Sequence, residues 1–109
     1  MPEIALRLDH LNLPARDPHA LARWYADTFG LQADRHVVRG PGLLIAFQAG
    51  EPVNRAPDIH IGFRVPSVAE LRDLAARFGK EPTRGVEFLS FRTSDPDGNC
   101  IELYCKPDE

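Results

Sequence analysis

Three residues far apart in the chain have the donor chemistry of a metal site: His10 in LDHLNL, His60 in DIHIGF and Glu102 in NCIELY. Neutral imidazole and carboxylate are common donors to a divalent transition metal, and three of them leave coordination positions for water or a substrate oxygen. Parity is what relates them, because successive side chains along a strand point to opposite faces. In IALRLDHLNLP, Leu11 and Leu13 point one way, while Leu8, His10 and Asn12 point the other. In IHIGFRVP, Ile59, Ile61, Phe63 and Val65 form an apolar face opposite His60, Gly62 and Arg64. In CIELYC, Ile101, Leu103 and Cys105 are apolar, and Cys100, Glu102 and Tyr104 share the other side. Each candidate ligand therefore falls mid-strand on the face away from the apolar one. The chain has no His-Glu-x-x-His helix and no Cys-x-x-Cys pair, so the site rests on convergence and not on local spacing. A single strand histidine is more often a hydrogen-bonded core or rim residue. The matched parity of all three gives the set its weight.

These residues need a scaffold, and the sequence indicates one. The period of two over residues 4 to 14 predicts a strand ended by Pro14. Asp17 and Pro18 predict the start of a helix over HALARWYADTF, with Leu21, Trp24, Tyr25 and Thr28 on one face and Gly30 as its C-terminal cap. LQADRHVVRG, a Gly-Pro-Gly turn and LLIAFQ follow as two or three short antiparallel strands. Pro, Gly and Asn make AGEPVNRAPD a connecting loop, and the order then restarts. A strand over 59 to 66 ends in proline, and Ser67 caps a helix whose apolar face is Val68, Leu71, Leu74, Ala75 and Phe78. Short strands around an Asp-Pro-Asp-Gly turn complete the chain. Both halves run strand, proline, capped helix ending in Phe-Gly, then strands, which implies tandem duplication of one unit. The expected organisation is a single domain over 1–109, with module 1 at about 4–50, a linker at 51–57 and module 2 at about 58–106. One sheet face of each unit is covered by its helix, and the other is free to line a cup.

Composition narrows the function classes. A net charge of −3, with arginines scattered and not striped, argues against a nucleic-acid partner. No stretch has the roughly 20 apolar residues of a membrane span, and MPEIALRLDH lacks the basic-then-apolar order of a secretory signal. The expectation is a cytoplasmic protein. The two cysteines, Cys100 and Cys105, lie on opposite faces of one strand and cannot pair with each other, so both are expected to be free thiols.

LDHLNLPARDPHALARWYADTFGL, HIGFRVPSVAELRDLAARFG and above all DPDGNCIELY resemble the vicinal oxygen chelate superfamily, which includes glyoxalase I, bleomycin and fosfomycin resistance proteins and extradiol dioxygenases. The resemblance implies an α+β fold of two tandem βαβββ modules forming a U-shaped antiparallel sheet cup, with module 1 shortened by a trimmed or lost strand. It implies a divalent metal (Fe, Zn, Ni or Mn) held by His10, His60 and Glu102. Glyoxalase-type members take a fourth protein ligand from the last strand of the first module, where LLIAFQAG offers only Ala46 or Gln48, so three ligands are expected. Fosfomycin enzymes have an arginine-bearing segment beyond the glutamate. This chain stops at Glu109, which lowers the expectation of thiol transfer.

With the cup as context, the polar face of FLSFRT carries Ser90 and Arg92, and Arg92 is a candidate to hold an anionic substrate group, with a solvated surface arginine as the equal alternative. Asn12 and Tyr104, each two residues beyond a ligand, are candidates to orient a ligand or substrate oxygen, and Tyr104 is alternatively a rim residue of a dimer. Gln48 is a candidate further contact. Cys100 is a soft-ligand candidate, with a small buried residue as its competing role, and His19 and His36 read as surface residues. A metal here would act as a Lewis acid on a substrate oxygen, as in a lyase or isomerase, or with iron(II) would activate dioxygen. The alternatives are a metal-free protein that sequesters an antibiotic-like small molecule, and a fold used only for association. The length of the chain and the exposed sheet edges expected of a shortened module 1 predict a homodimer. Whether His10 joins the other two ligands from its own chain or from its partner is left open by the sequence.

Overall fold

The computed structural model describes residues 3–53 and 59–109, and the chain divides into two compact units, Met1–Pro52 and Val53–Glu109. Part of the linker expected at 51–57, and the start of module 2 at position 58, lie outside the described residues.

Unit 1 runs β1 (Leu11–Ala15), α1 (Pro18–Phe29), β2 (Gln32–Asp34), β3 (Val37–Gly40) and β4 (Leu43–Ala49), with sheet order β1-β4-β3-β2. The helix begins where expected. The Asp17 side chain accepts from the Ala20 amide at 3.1 Å, Pro18 fills the first turn, where no N–H is needed, and Gly30 closes the helix at φ 69°. Leu21, Ala22 and Tyr25 are buried, with the Tyr25 ring 5.5 Å from that of Phe47 on β4. This is the apolar layer that holds helix to sheet.

Two expectations need correction here. The strand predicted over 4 to 14 is β1 alone, so His10 immediately precedes a strand and does not sit within it. The register that pairs Leu11 with Ile45 would put Asp9 level with Leu43, the first residue of β4. The chain ahead of Asp9 therefore has no strand beside it in unit 1, and Ile4, Leu6 and Leu8 alternate as expected but are exposed. Pro14 does not end the strand either: it lies within β1, level with Gln48. Its missing N–H is tolerable because β1 is an edge of its sheet. The second correction concerns the sheets. β1 pairs with β4 in parallel, and only β2–β3 and β3–β4 are antiparallel, so the sheet is mixed. No strand of module 1 is lost; its shortest, β2, has 3 residues, against 2 in the shortest strand of unit 2.

Unit 2 repeats the plan as β5 (His60–Arg64), α2 (Val68–Arg77), β6 (Thr83–Arg84), β7 (Leu89–Ser94) and β8 (Cys100–Cys105), in the order β5-β8-β7-β6 with β5 parallel to β8. The same element order and strand order in both units fit the duplication read from the sequence. The Ser67 hydroxyl accepts from the Glu70 amide at 3.2 Å and starts α2. Leu71 and Ala75 of the helix are buried with Leu89, Phe91, Ile101, Leu103 and Cys105, the inward residues of β7 and β8.

The turn before β8 is fixed from inside. Asp95 and Asn99 are both buried, and Asp95 Oδ1 accepts from the Asp97 and Asn99 amides at 2.9 Å while Oδ2 accepts from Asn99 Nδ2 at 2.8 Å. Gly98, at φ 86°, supplies the left-handed step of the turn. Three residues beyond this lock stands Glu102. Among the described residues no helix is long and apolar enough to cross a membrane.

Candidate metal centre

The burial alternation of β5, β7 and β8 follows the parity expected from the sequence, with two corrections: Ile59, expected on the apolar face, lies just ahead of β5 and is exposed, and His60 is the first residue of β5 and not a mid-strand one. One face holds the buried core beneath α2, and the other carries His60, Gly62 and Arg64 on β5, Glu102 and Tyr104 on β8, and Ser90 and Arg92 on β7. Glu102 is level with Gly62 on one side and Arg92 on the other, and Tyr104 is level with Arg64 and Ser90.

On this face the Glu102 carboxylate lies between an imidazole and a guanidinium. His60 Nε2 is 3.6 Å from Oε1, and Arg92 Nε donates to Oε2 at 3.3 Å. The side chains of His60 and Glu102 retain 30% and 26% of their exposure, so the pair is sheltered and still reachable from solvent. A separation of 3.6 Å is long for a direct hydrogen bond. Two donors that each lie about 2.1 Å from one ion stand roughly 3.0–3.4 Å apart over octahedral to tetrahedral angles. The donor types of His60 and Glu102 suit two neighbouring positions around a divalent metal, and their 3.6 Å separation is about 0.2 Å wider than the tetrahedral spacing. Arg92, on the other carboxylate oxygen, is the kind of partner that fixes a ligating carboxylate. Within unit 2, among the described residues, no further His, Cys, Asp or Glu joins the pair to make a cluster of three. Cys100 is level with His60 across the ladder and is half-buried, as a small thiol filling that position.

Next to the pair, the Tyr104 ring meets Phe88 edge to face at 5.1 Å, and the Arg64 guanidinium carbon lies 6.0 Å from its centroid. Arg64 Nη2 donates to Glu109 Oε2 at 2.7 Å, and Glu109 Oε1 accepts from the Lys106 amide. That backbone N–H first, and Arg64 second, hold the Glu109 carboxyl below the usual carboxylate range. Tyr104 is thus a wall of the polar face, with its ring held between Phe88 and Arg64.

The remaining candidates belong to unit 1. Asn12 is level with Ala46, and Gln48 with Pro14, so Asn12 and Gln48 share the sheet face away from Ile45 and Phe47. Both are exposed. His10 is 55% exposed, and its Nδ1 lies 2.8 Å from Asp9 Oδ2. A proton on Nδ1 shared with that carboxylate would leave Nε2 with its lone pair outward, the state in which an imidazole binds a metal. Asp9 was not singled out from the sequence, although an acid directly beside a candidate ligand is a readable signal. His19 and His36 are exposed, as expected.

Residues 7–103 match the family model of the Glyoxalase/Bleomycin resistance protein/Dioxygenase superfamily. The chain belongs to this superfamily. Its fold recurs in solved structures of the same vicinal oxygen chelate type. A possible glyoxalase from Bacillus cereus is 24% identical, with a TM-score of 0.78 over 93% of this chain and 100% of that one. The fosfomycin resistance protein FosX from Listeria monocytogenes is 21% identical, with a TM-score of 0.76 over 94% of each chain. The oxidase ChaP-H2 is 20% identical, with a TM-score of 0.75 over 95% of this chain and 96% of that one. At these identities the likeness is one of fold. The comparison with curated proteins gave no match.

Proposed function

We propose that this superfamily member is a metal-dependent enzyme acting on a small oxygen-bearing molecule, with His10, His60 and Glu102 as its metal ligands. The observation that carries the proposal is the His60 Nε2 to Glu102 Oε1 separation of 3.6 Å, with Arg92 holding the carboxylate from its far side. Members of the superfamily typically bind a divalent metal. His10, with Asp9 on its other ring nitrogen, has the form of a third ligand, supplied by unit 1 of this chain or of a second copy. The ion, one of Fe, Zn, Ni or Mn, would supply Lewis-acid polarisation of a substrate oxygen or, as iron(II), a site for dioxygen.

The chain's own residues do the rest. Arg92 orients Glu102 and offers its guanidinium to an anionic group of the substrate. Tyr104 and Phe88 wall the face and exclude water from one side, and Ser90 adds a hydroxyl beside them. Asn12 and Gln48 contribute polar contacts from unit 1. The reaction class is lyase or isomerase chemistry, or dioxygenation; fosfomycin resistance and oxidase activity among the structural neighbours are consistent with that range. A homodimer is part of the proposal, because the exposed alternation of Ile4, Leu6 and Leu8 suits pairing with a second copy.

A second reading has one observation in its favour. Phe88 is 38% exposed beside Tyr104, an aromatic surface of the kind a sequestering protein would use for a flat ligand. Elemental analysis of protein purified without added metal separates the two. A stoichiometric metal that disappears in His60→Ala supports the enzyme. Metal-free wild-type protein that binds a bleomycin-type ligand supports sequestration.

A further inference from the structure

Directly across the β5–β8 ladder from Glu102 stands a glycine, Gly62. Glycine in the interior of a strand weakens it, because it adds backbone entropy to the unfolded chain and offers no side chain to its cross-strand neighbours. Two ordinary reasons for a glycine fail here. Gly30, Gly42, Gly79 and Gly98 occupy left-handed backbone conformations, and Gly62 does not. At Gly40 an added Cβ would meet Leu31 Cδ2 at 2.6 Å, whereas at Gly62 it would meet nothing within 4 Å. Neither backbone geometry nor crowding among the described residues calls for glycine at this position. The other use of a strand glycine is to let a ligand approach the backbone closely.

The surroundings of the gap suit that use. His60 and Arg64 flank Gly62 on the same face of β5, and Glu102 lies opposite. We propose that Gly62 is a specificity-determining position: its missing side chain leaves room beside Glu102 for the metal-bound end of the substrate. The inference rests on the metal reading above and deepens it. It assigns to this one position the limit on how bulky that end of a substrate can be.

The test uses metal-stripped protein reloaded with cobalt(II), whose visible absorption reports its ligands, and acetohydroxamate as a small two-oxygen chelator. Gly62→Val, whose β-branched side chain suits a strand, and Gly62→Ala should both bind cobalt as the wild type does. Gly62→Val should bind acetohydroxamate about 10- to 100-fold more weakly, the cost of overfilling a site, with Gly62→Ala between it and the wild type. If Gly62→Val does not fold, the weaker binding by Gly62→Ala carries the test. Equal acetohydroxamate binding by the folded variants and the wild type overturns the proposal, and so does loss of cobalt itself in a folded variant. Wild-type protein that takes up no cobalt defeats the metal reading and the inference together, an outcome distinct from a failure confined to the variants.

Discussion

Arg92 and Glu102 face each other across the β7–β8 ladder, with the guanidinium Nε 3.3 Å from Oε2 of the carboxylate. The ion pair is too exposed to matter much to folding, with the Arg92 side chain 49% accessible; pairs of this kind contribute about 0–1 kcal/mol. Under the proposed function its value lies in orienting Glu102. Arg92→Ala should leave the denaturation midpoint nearly unchanged and weaken manganese binding about 10- to 100-fold, the usual cost of losing a partner that orients a ligand. Calorimetric titration of the metal-stripped variant measures this, and an unchanged affinity would remove Arg92 from the site.

Asp9 makes a parallel prediction for His10. With the two side chains 55% and 87% exposed for His10 and Asp9, the contact adds little to folding. Asp9→Ala should lower metal affinity by about tenfold or more, at an unchanged melting temperature. Equal affinity in the variant would make the contact an incidental surface pair.

Asp95 is the opposite case, important to folding and remote from chemistry. Asp95→Ala leaves the Asp97 and Asn99 amides and the Asn99 side chain without their acceptor at a largely buried turn. An unsatisfied buried polar group costs about 1–3 kcal/mol, so a loss of at least about 2 kcal/mol in urea unfolding is expected. A loss below about 0.5 kcal/mol, the size of an ordinary surface substitution, would show that water replaces the carboxylate without penalty.

Burial, and then the nearby Glu109 carboxylate, push the Cys105 thiol above its ordinary value. The folded chain therefore keeps this thiol neutral at pH values where the unfolded chain has begun to ionise it. The resulting stability is fully present below the ordinary thiol range, about pH 8.5, and is lost as pH rises through the folded value. Cys105→Ala, which cannot ionise, should lose less stability than the wild type between neutral and alkaline pH. Urea unfolding of both proteins across that range checks it; parallel losses would contradict it.

The fold was legible where its signals are local. Asp17, Pro18 and Gly30 around α1, and Ser67 before α2, are chemical caps that act within one turn, and the structure uses each as expected. The alternation in CIELYC holds because its apolar side has α2 to bury against. The extent of β1 was not legible, since a strand lasts only as long as its partner, and β4 begins at Leu43. Nor does any side-chain pattern announce that β1 and β5 lie parallel to β4 and β8; that depends on the path taken through each helix. Within the candidate site, parity placed Glu102 and His60 on one face, and the structure brings their side chains to 3.6 Å. The facing of Gly62 and Arg92 on Glu102 is a matter of register, which only paired strands define.

The most direct test of the metal centre is an anomalous difference map from crystals of the full chain grown with manganese. One peak per chain is expected, about 2.1 Å from His60 Nε2 and from a Glu102 oxygen, with the ring of a His10 completing the set. A map with no peak at His60 and Glu102 when metal is in excess, or with manganese bound only by other residues, would contradict it.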